Sequence, residues 1–320
     1  MHTRLKEPEQ TQDARAAAPP ATSMLVEALA PERVLALQRT SGNAAVTRML
    51  ARQLNHDQLA QTIHAAMQGF GTDEAAILNA LQQLDRNPDD VDALKAAYRG
   101  RFGSELLADL ESELSGKELQ QAKFLLRLAP SPGMERVADE LTSMVGQQAT
   151  WTPSGPGSGN TFESWASASS EGTAPALSTV TRINCWEMVL LAAYRTGLLS
   201  WQWIHDQYTA HTADWFDHMV GMLSRGSRIR YRAGAPAGRK PLRGDIVFMD
   251  GMAHVALATG NVDGAGRAEV ISFWPPPNTP FTRGGTIDSV KVTTIEELSD
   301  WWAANMPPAP VVELAAPPWS

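Results

Sequence analysis

Thr181-Arg182-Ile183-Asn184-Cys185-Trp186-Glu187-Met188-Val189-Leu190-Leu191-Ala192-Ala193-Tyr194-Arg195-Thr196-Gly197 is the stretch on which the reading of the fold turns. After Cys185 the apolar residues follow one another almost without a break, as in a buried helix, and Gly197 suits the left-handed position just past a helix end. Asn184 is a fitting N-cap. Cys185 then falls in the first turn, where unpaired backbone N–H groups and the helix dipole favour a thiolate. A thiol so placed is expected to titrate below its ordinary range and to act as a nucleophile near neutral pH. It is the only cysteine among 320 residues. An intrachain disulfide and a zinc site built on several thiolates are therefore excluded. A lone cysteine is most often a small buried hydrophobe, so its neighbours decide its meaning.

Those neighbours come from Pro241-Leu242-Arg243-Gly244-Asp245-Ile246-Val247-Phe248-Met249-Asp250-Gly251-Met252-Ala253-His254-Val255-Ala256-Leu257-Ala258-Thr259-Gly260. Two short apolar strands are joined at Asp250-Gly251, a hairpin-turn signal. His254 opens the second strand. A third strand is expected over Ala268 to Trp274, after a Gly/Asp turn at Asp263 to Gly266. His205, His211 and His218, in the helical stretch between, share no helix face and have no carboxylate triad beside them, so they read as surface or core residues. Trp201, Trp203 and Trp215 read as core.

A helix with cysteine at its start, then Gly244-Asp245 leading into a strand, then His254-Val255-Ala256-Leu257, resembles the papain-like cysteine hydrolases of the NlpC peptidase and CHAP amidase type. The resemblance implies Cys185 as nucleophile and His254 as its base, with no cofactor for catalysis. It implies a third residue on the next strand that orients the histidine. The matching position is Ser272, a short side chain; Glu269, Asn261 and Asn278 are the other candidates. Peptidoglycan peptides or a protein would be the substrate, by peptidase, amidase or deamidase chemistry.

The middle of the chain is a different kind of unit. Apolar residues recur at helical spacing at Leu59, Ile63 and Met67, then Ile77, Leu78 and Leu81, then Val91, Leu94 and Tyr98, then Leu106, Leu110 and Leu114, with breaks between these groups. Met67-Gln68-Gly69-Phe70-Gly71-Thr72-Asp73-Glu74 and, later, Phe102-Gly103-Ser104-Glu105 through Glu113-Leu114-Ser115-Gly116 together resemble a single annexin repeat. That resemblance implies a calcium site. The carbonyls of Met67, Gly69 and Gly71 and the carboxylate of Glu113 would supply oxygen ligands of the kind a hard cation takes, and an acidic membrane would be the partner.

The amino-terminal end adds a third element. Residues 1–30 read as disordered, polar and Ala/Pro-rich. Residues 31–53 read as a helical hairpin broken at Ser41-Gly42-Asn43. The string Leu37-Gln38-Arg39-Thr40-Ser41-Gly42-Asn43-Ala44-Ala45-Val46 resembles the LQRxxGNxAV segment of proteins associated with bacterial extracellular contractile injection systems. It implies an injection particle or its loading factors as partner. No secretory h-region is seen, and no apolar run reaches the roughly 18 residues of a membrane helix, so the protein is expected to start in the cytosol and to leave, if it does, by such a particle. The net charge of −8 argues against nucleic acid as a partner. One basic stretch, Ser224 to Arg243, reads as a solvated loop or a docking surface.

The expected fold class is α+β: the N-terminal helical hairpin, an annexin-like helical bundle over 54–130, a linker and lead-in over 131–182, a papain-like (NlpC/CHAP-type) α+β domain over 183–306, and a Pro-rich tail over 307–320. The function expected is that of an injection-system effector or toxin that hydrolyses an amide or peptide bond. The alternative is a non-catalytic adaptor, a calcium- and membrane-binding cargo whose Cys/His pair is degenerate.

Overall fold

The computed structural model describes residues 43–69, 71–154, 158–210, 215–236, 239–274 and 286–320. The chain divides into two compact units, 1–55 and 56–320. The described part of the first is the beginning of helix α1, Asn43–Ala66. The rest of the expected hairpin over 31–53 and the segment 1–30 lie outside the described residues. The described helix runs from Asn43 and is continuous through the boundary drawn at 53/54.

The second unit opens with a helical bundle. After α1 come α2 (Glu74–Gln82), α3 (Pro88–Phe102), α4 (Leu106–Glu113) and α5 (Gly116–Leu125). Asp73 caps α2 by accepting the Ala76 N–H, and Asn87 caps α3 ahead of Pro88 at the first helical position. These are the residue types that satisfy or dispense with orphan N–H groups at a helix start. The faces marked by Ile63, Ile77, Leu81, Leu94, Tyr98, Leu106 and Leu110 close on one another as a continuous apolar core.

The remainder is an eight-stranded sheet with helices on both faces. Its elements in order are α6 (Pro132–Ser143), β1 (Gln148–Trp151), α7 (Thr161–Ala166), β2 (Arg182–Ile183), α8 (Cys185–Arg195), α9 (Trp201–Thr209), α10 (Trp215–Leu223), β3 (Arg225–Arg230), β4 (Ile246–Met249), β5 (His254–Val262), β6 (Ala268–Phe273), β7 (Thr286–Thr294), α11 (Ile295–Asn305) and β8 (Val312–Ala316). The strand order is β2-β1-β7-β6-β5-β4-β8-β3. All neighbours are antiparallel except β1 and β2. Alternation along β5 divides the core. Val255 and Leu257 join Ile271, Phe273 and the apolar residues of α8, while Ala256 and Ala258 join Val270, Trp274 and Trp302 of α11. The architecture is α+β.

Two boundaries change. The tail expected over 307–320 is strand β8, inserted between β4 and β3, with Leu314 and Ala315 fully buried and Trp319 nearly so. Prolines flank Val312–Ala316 on both sides, and none interrupts it, so the strand keeps every N–H it needs. The linker expected over 131–182 is part of the domain. Val137, Leu141, Ala149, Trp151, Phe162 and Trp165 lie in the same core as α8. Gly244 shows how tightly α6 is seated: a Cβ there would meet the Met134 carbonyl oxygen at 2.6 Å, and its φ is +80°. Only glycine meets both conditions.

The helical bundle and the sheet are joined through Asp245. Its carboxylate, 0% exposed, accepts the Leu242 N–H at 2.8 Å and pairs with Arg127 at 3.4 Å and Arg86 at 3.8 Å. Arg86 also lies over the Phe124 ring, 4.1 Å from its centroid. Burial lowers the Arg86 pKa to about 10, against the opposing pull of Asp245. Both arginines are left-handed, with φ of 53° and 54°, so the backbone carries strain at the two points that reach into the sheet domain. Around this centre, Ser227 donates to Asp85, Arg239 pairs with Asp89 and Arg243 with Asp139. Much of the basic stretch 225–243 is thus occupied within the chain.

Candidate functional site

Cys185 is the first residue of α8, and Asn184 is its N-cap, as expected, within a complete capping box. Asn184 Oδ1 accepts the Glu187 N–H, and Glu187 Oε2 accepts the Asn184 N–H. The thiol lies against the sheet where β5 begins. Desolvation pushes it up to about 12, although the N–H groups of Val255, Trp186 and Cys185 itself pull the other way and Glu187 adds to the rise. The low-pKa thiol expected from the helix start is therefore corrected. Cys185 is 2% exposed, and at full burial the loss of solvation outweighs a helix terminus.

His254 opens β5 directly after a 3-10 turn over Gly251–Ala253, and Asp250 before that turn is left-handed. Its ring rests against Trp274, centroids 4.4 Å apart. Burial alone drives it down to about 3. Both ring nitrogens lack a hydrogen-bond partner, so the imidazole and the Cys185 thiol are not hydrogen-bonded to each other. The two residues meet at the β5 main chain, through the Val255 N–H, and not through the ring.

Ser272 does not orient the histidine. The β5/β6 register pairs Leu257 with Ile271 and Ala258 with Val270; followed to the strand start, it sets Ala256 opposite Ser272 and Trp274 opposite His254. An aromatic ring thus occupies the place an orienter would take. Of the other candidates, Glu269 accepts from Thr259 near the far end of β5, Asn261 lies at that same far end, and Asn278 is outside the described residues. His205 bonds the Ala166 carbonyl and His218 the Gln207 side chain, both structural roles; His211 is outside the described residues.

A cavity of about 760 Å³ opens beside Cys185, with Trp151, Ser154, Asn184, Trp186, Phe216 and Met252 among its walls. Concave, mostly apolar sites with a few polar groups are where small ligands bind. One residue here had no sequence signal beyond its capping role. Glu187, fully buried, receives hydrogen bonds from Ser154 Oγ, Asn160 Nδ2, Tyr208 Oη and the Asn184 N–H, and burial raises its carboxyl to about 7.

The second candidate site is the loop between α1 and α2. Gly69 and Gly71 have φ of +106° and +96°, conformations that turn successive carbonyls in a tight bend and that glycine alone adopts freely. Glu113, from the end of α4, is brought to this loop across 41 positions: its Oε2 accepts the Thr72 hydroxyl at 2.8 Å. Glu113 is therefore held beside Thr72, the residue that follows Gly71, and the expected ligands here are carbonyl and carboxylate oxygens. Their oxygen-only character suits a hard divalent cation. Among the described residues no cluster of three or more His, Cys, Asp or Glu side chains is arranged to hold a metal, and no helix is long and apolar enough to cross a membrane.

The bundle that carries this loop has known relatives. Residues 58–120 match the annexin family model. Annexin A6 of Gallus gallus is 46% identical over 82 residues, 26% of this chain and 12% of its own length. Annexin A7 of Homo sapiens is 43% identical over 68 residues, 21% of this chain and 14% of its own length. Annexin B10 of Drosophila melanogaster is 40% identical over 67 residues, 21% of this chain and 20% of its own length. The chain spans at most a fifth of the length of these relatives, and the family model lies within the bundle. The helical unit in the middle of the chain is thus an annexin repeat, set beside a sheet domain that the family model does not reach.

Proposed function

We propose that the chain is a cysteine-dependent amide or peptide-bond hydrolase that carries an annexin repeat as a calcium-dependent membrane contact, and that it serves as an effector of a contractile injection system. The observation that carries the enzymatic part is the position of Cys185. It begins a helix at the wall of a cavity, with its sulfur at the main chain that leads from the histidine strand. In the reaction, the thiol proton passes to His254 as sulfur bonds the carbonyl carbon. The imidazolium returns that proton to the departing amine, and water then cleaves the thioester. At neutral pH both groups start uncharged, so proton transfer accompanies attack and does not precede it. For it to occur the imidazole, which shares the Ala256 and Ala258 face of β5 and rests against Trp274, must turn to the α8 face and reach the sulfur. Purified sacculi treated with the protein and analysed by mass spectrometry should release peptide fragments that Cys185→Ala does not release. Intact sacculi with both would remove peptidoglycan as the substrate.

A second reading is favoured by the buried, unpartnered imidazole: a non-catalytic adaptor in which the pair is a remnant. The two readings part on His254→Leu. In the adaptor reading it is neutral or stabilising, because two unsatisfied polar atoms disappear. In the hydrolase reading it removes turnover.

For the annexin repeat, the carbonyls of Met67, Gly69 and Gly71 with the Glu113 carboxylate form the proposed calcium site, and acidic phospholipid is the proposed partner. Glu113→Ala in the full chain should weaken calcium binding by at least about tenfold, since a carboxylate completes the cation's shell. Titration calorimetry reads this directly. Equal binding by both proteins, or by neither, would remove the site. The full chain is needed because Arg86 and Arg127 are buried against Asp245. The string Leu37 to Val46 would address the protein to the injection particle.

A further inference from the structure

Glu187 is the most heavily bonded buried acid of the sheet domain, and the reaction above makes no use of it. Each of its oxygens serves two donors. Oε1 accepts from Ser154 at 2.7 Å and Tyr208 at 2.7 Å; Oε2 accepts from Asn160 at 2.6 Å and the Asn184 N–H at 2.9 Å. These donors come from three different parts of the domain: the segment after β1, helix α9 and the start of α8. Asn184 Nδ2 also donates to Ser154 Oγ at 2.8 Å, which closes a ring of bonds through the carboxylate. Ser154 and Asn184 are polar groups of the cavity wall that Cys185 also lines, with Asp217 and Asp250 the others. A helix cap alone needs one of these bonds, so the other three call for another reason.

We propose that Glu187 is a positioning residue of the Cys185 site, which holds Ser154 and Asn184 in the cavity wall so that the acyl portion of a peptide substrate is seated against the thiol. The inference rests on the hydrolase reading. A carboxylate is the only side chain that can accept four hydrogen bonds at once without offering a donor of its own. Protonation or amidation places a hydrogen where one of those donors now points, and a half-satisfied buried network is worse than a complete one.

The groups that face this carboxylate are Cys185 on its own helix and Tyr208 from α9, with Glu163 of α7 nearby on the Tyr208 side. Burial holds Cys185 near 12 and Tyr208 well above its ordinary value, and His254 lies near 3. Glu187 itself is raised to about 7. The carboxylate form is the positioning form, so the property it supports is present above pH 7 and lost as the pH falls through 7.

The test compares two reagents on the full chain, whose single cysteine makes the readout specific. Iodoacetamide reports the thiol alone. A dipeptidyl chloromethyl ketone reports the thiol together with the seating of a peptide: sulfur displaces chloride, a thioether forms, and the thiol proton passes to solvent. Glu187→Gln should lower the second-order rate of the peptidyl reagent by about tenfold or more and leave iodoacetamide within about twofold. In the wild type, the ratio of the two rates should fall below pH 7, and that acid limb should vanish in Glu187→Gln. Tyr208→Phe removes one donor that now lowers the carboxyl pKa, so its acid limb should move to higher pH; this variant keeps the test open if Glu187→Gln does not fold. A ratio unchanged by either substitution overturns the proposal. A wild-type Cys185 that takes neither reagent overturns the hydrolase reading instead.

Discussion

Cys185→Ala is expected to abolish amide hydrolysis, a fall of at least about 10³-fold in turnover, since no other thiol is present and the members of a catalytic unit fail together. His254→Ala should be nearly as severe. Ser272→Ala should cost little, because the register sets it opposite Ala256 and it does not reach the imidazole. Stability should fall by about 1 kcal/mol in Cys185→Ala, since the thiol is buried and its loss leaves a small void. The resting thiol should also react slowly. With its pKa at about 12, the rate of alkylation should rise about tenfold per pH unit from 7 to 10, as the thiolate fraction does. A plateau reached below pH 9 would mean that the site is more open and more polar than the buried arrangement described. Full activity in Cys185→Ala would remove Cys185 as the nucleophile, and a wild type without hydrolysis would leave the adaptor reading in place.

Asp245→Ala should destabilise the second unit by about 3–5 kcal/mol, the range for removing one partner from a buried ion pair. The reason is the charge left behind. Arg86 and Arg127 have side chains 7% and 3% exposed and would be buried without a counter-ion. The present cluster is not fully bonded: Arg86 Nη2, Arg127 Nε and one Asp245 oxygen have no hydrogen-bond partner. A triple variant with Arg86→Met, Arg127→Met and Asp245→Leu should therefore be less damaged than Asp245→Ala alone, even though it changes more atoms. Urea unfolding of the two proteins measures the difference. If the triple variant is the less stable, the charges contribute more than their desolvation costs. In either variant the annexin repeat should lose its fixed relation to the sheet domain and become the first region to exchange amide hydrogens.

What could be read from the residues, and what could not, follows from where each signal lies. Asn184 before a continuous apolar run, Asp250-Gly251 between two short runs, and Gly69 and Gly71 ahead of Asp73 are local signals. They gave the cap, the turn and the loop in the places observed. Glu113 was legible by its resemblance to the annexin pattern, and the Thr72 hydroxyl now shows it at the loop. The segment 131–182 was obscured by Gly, Ser and Pro, which dilute its core side chains. β8 was hidden because its alternating Val312, Leu314 and Ala316 stand between prolines and gain their meaning only from β4 and β3. The protonation of Cys185 and His254 was also beyond local reading. A helix start is a local property, but desolvation depends on everything packed around the group. Asp245 belonged to a recognised Gly-Asp pair, yet its arginine partners lie 118 and 159 positions earlier in the chain.

The insertion of β8 has a consequence for how the protein is made. Synthesis runs from residue 246 to residue 316 before β4 can find its second neighbour, and at ordinary rates of about 5–20 residues per second that interval lasts several seconds. During it the strand that leads to His254 presents a bare edge of N–H and C=O groups. The core around Cys185 also lacks Ala315, which β8 later adds to it. Until its closing strand arrives, the nascent protein thus offers that edge to any other strand it meets.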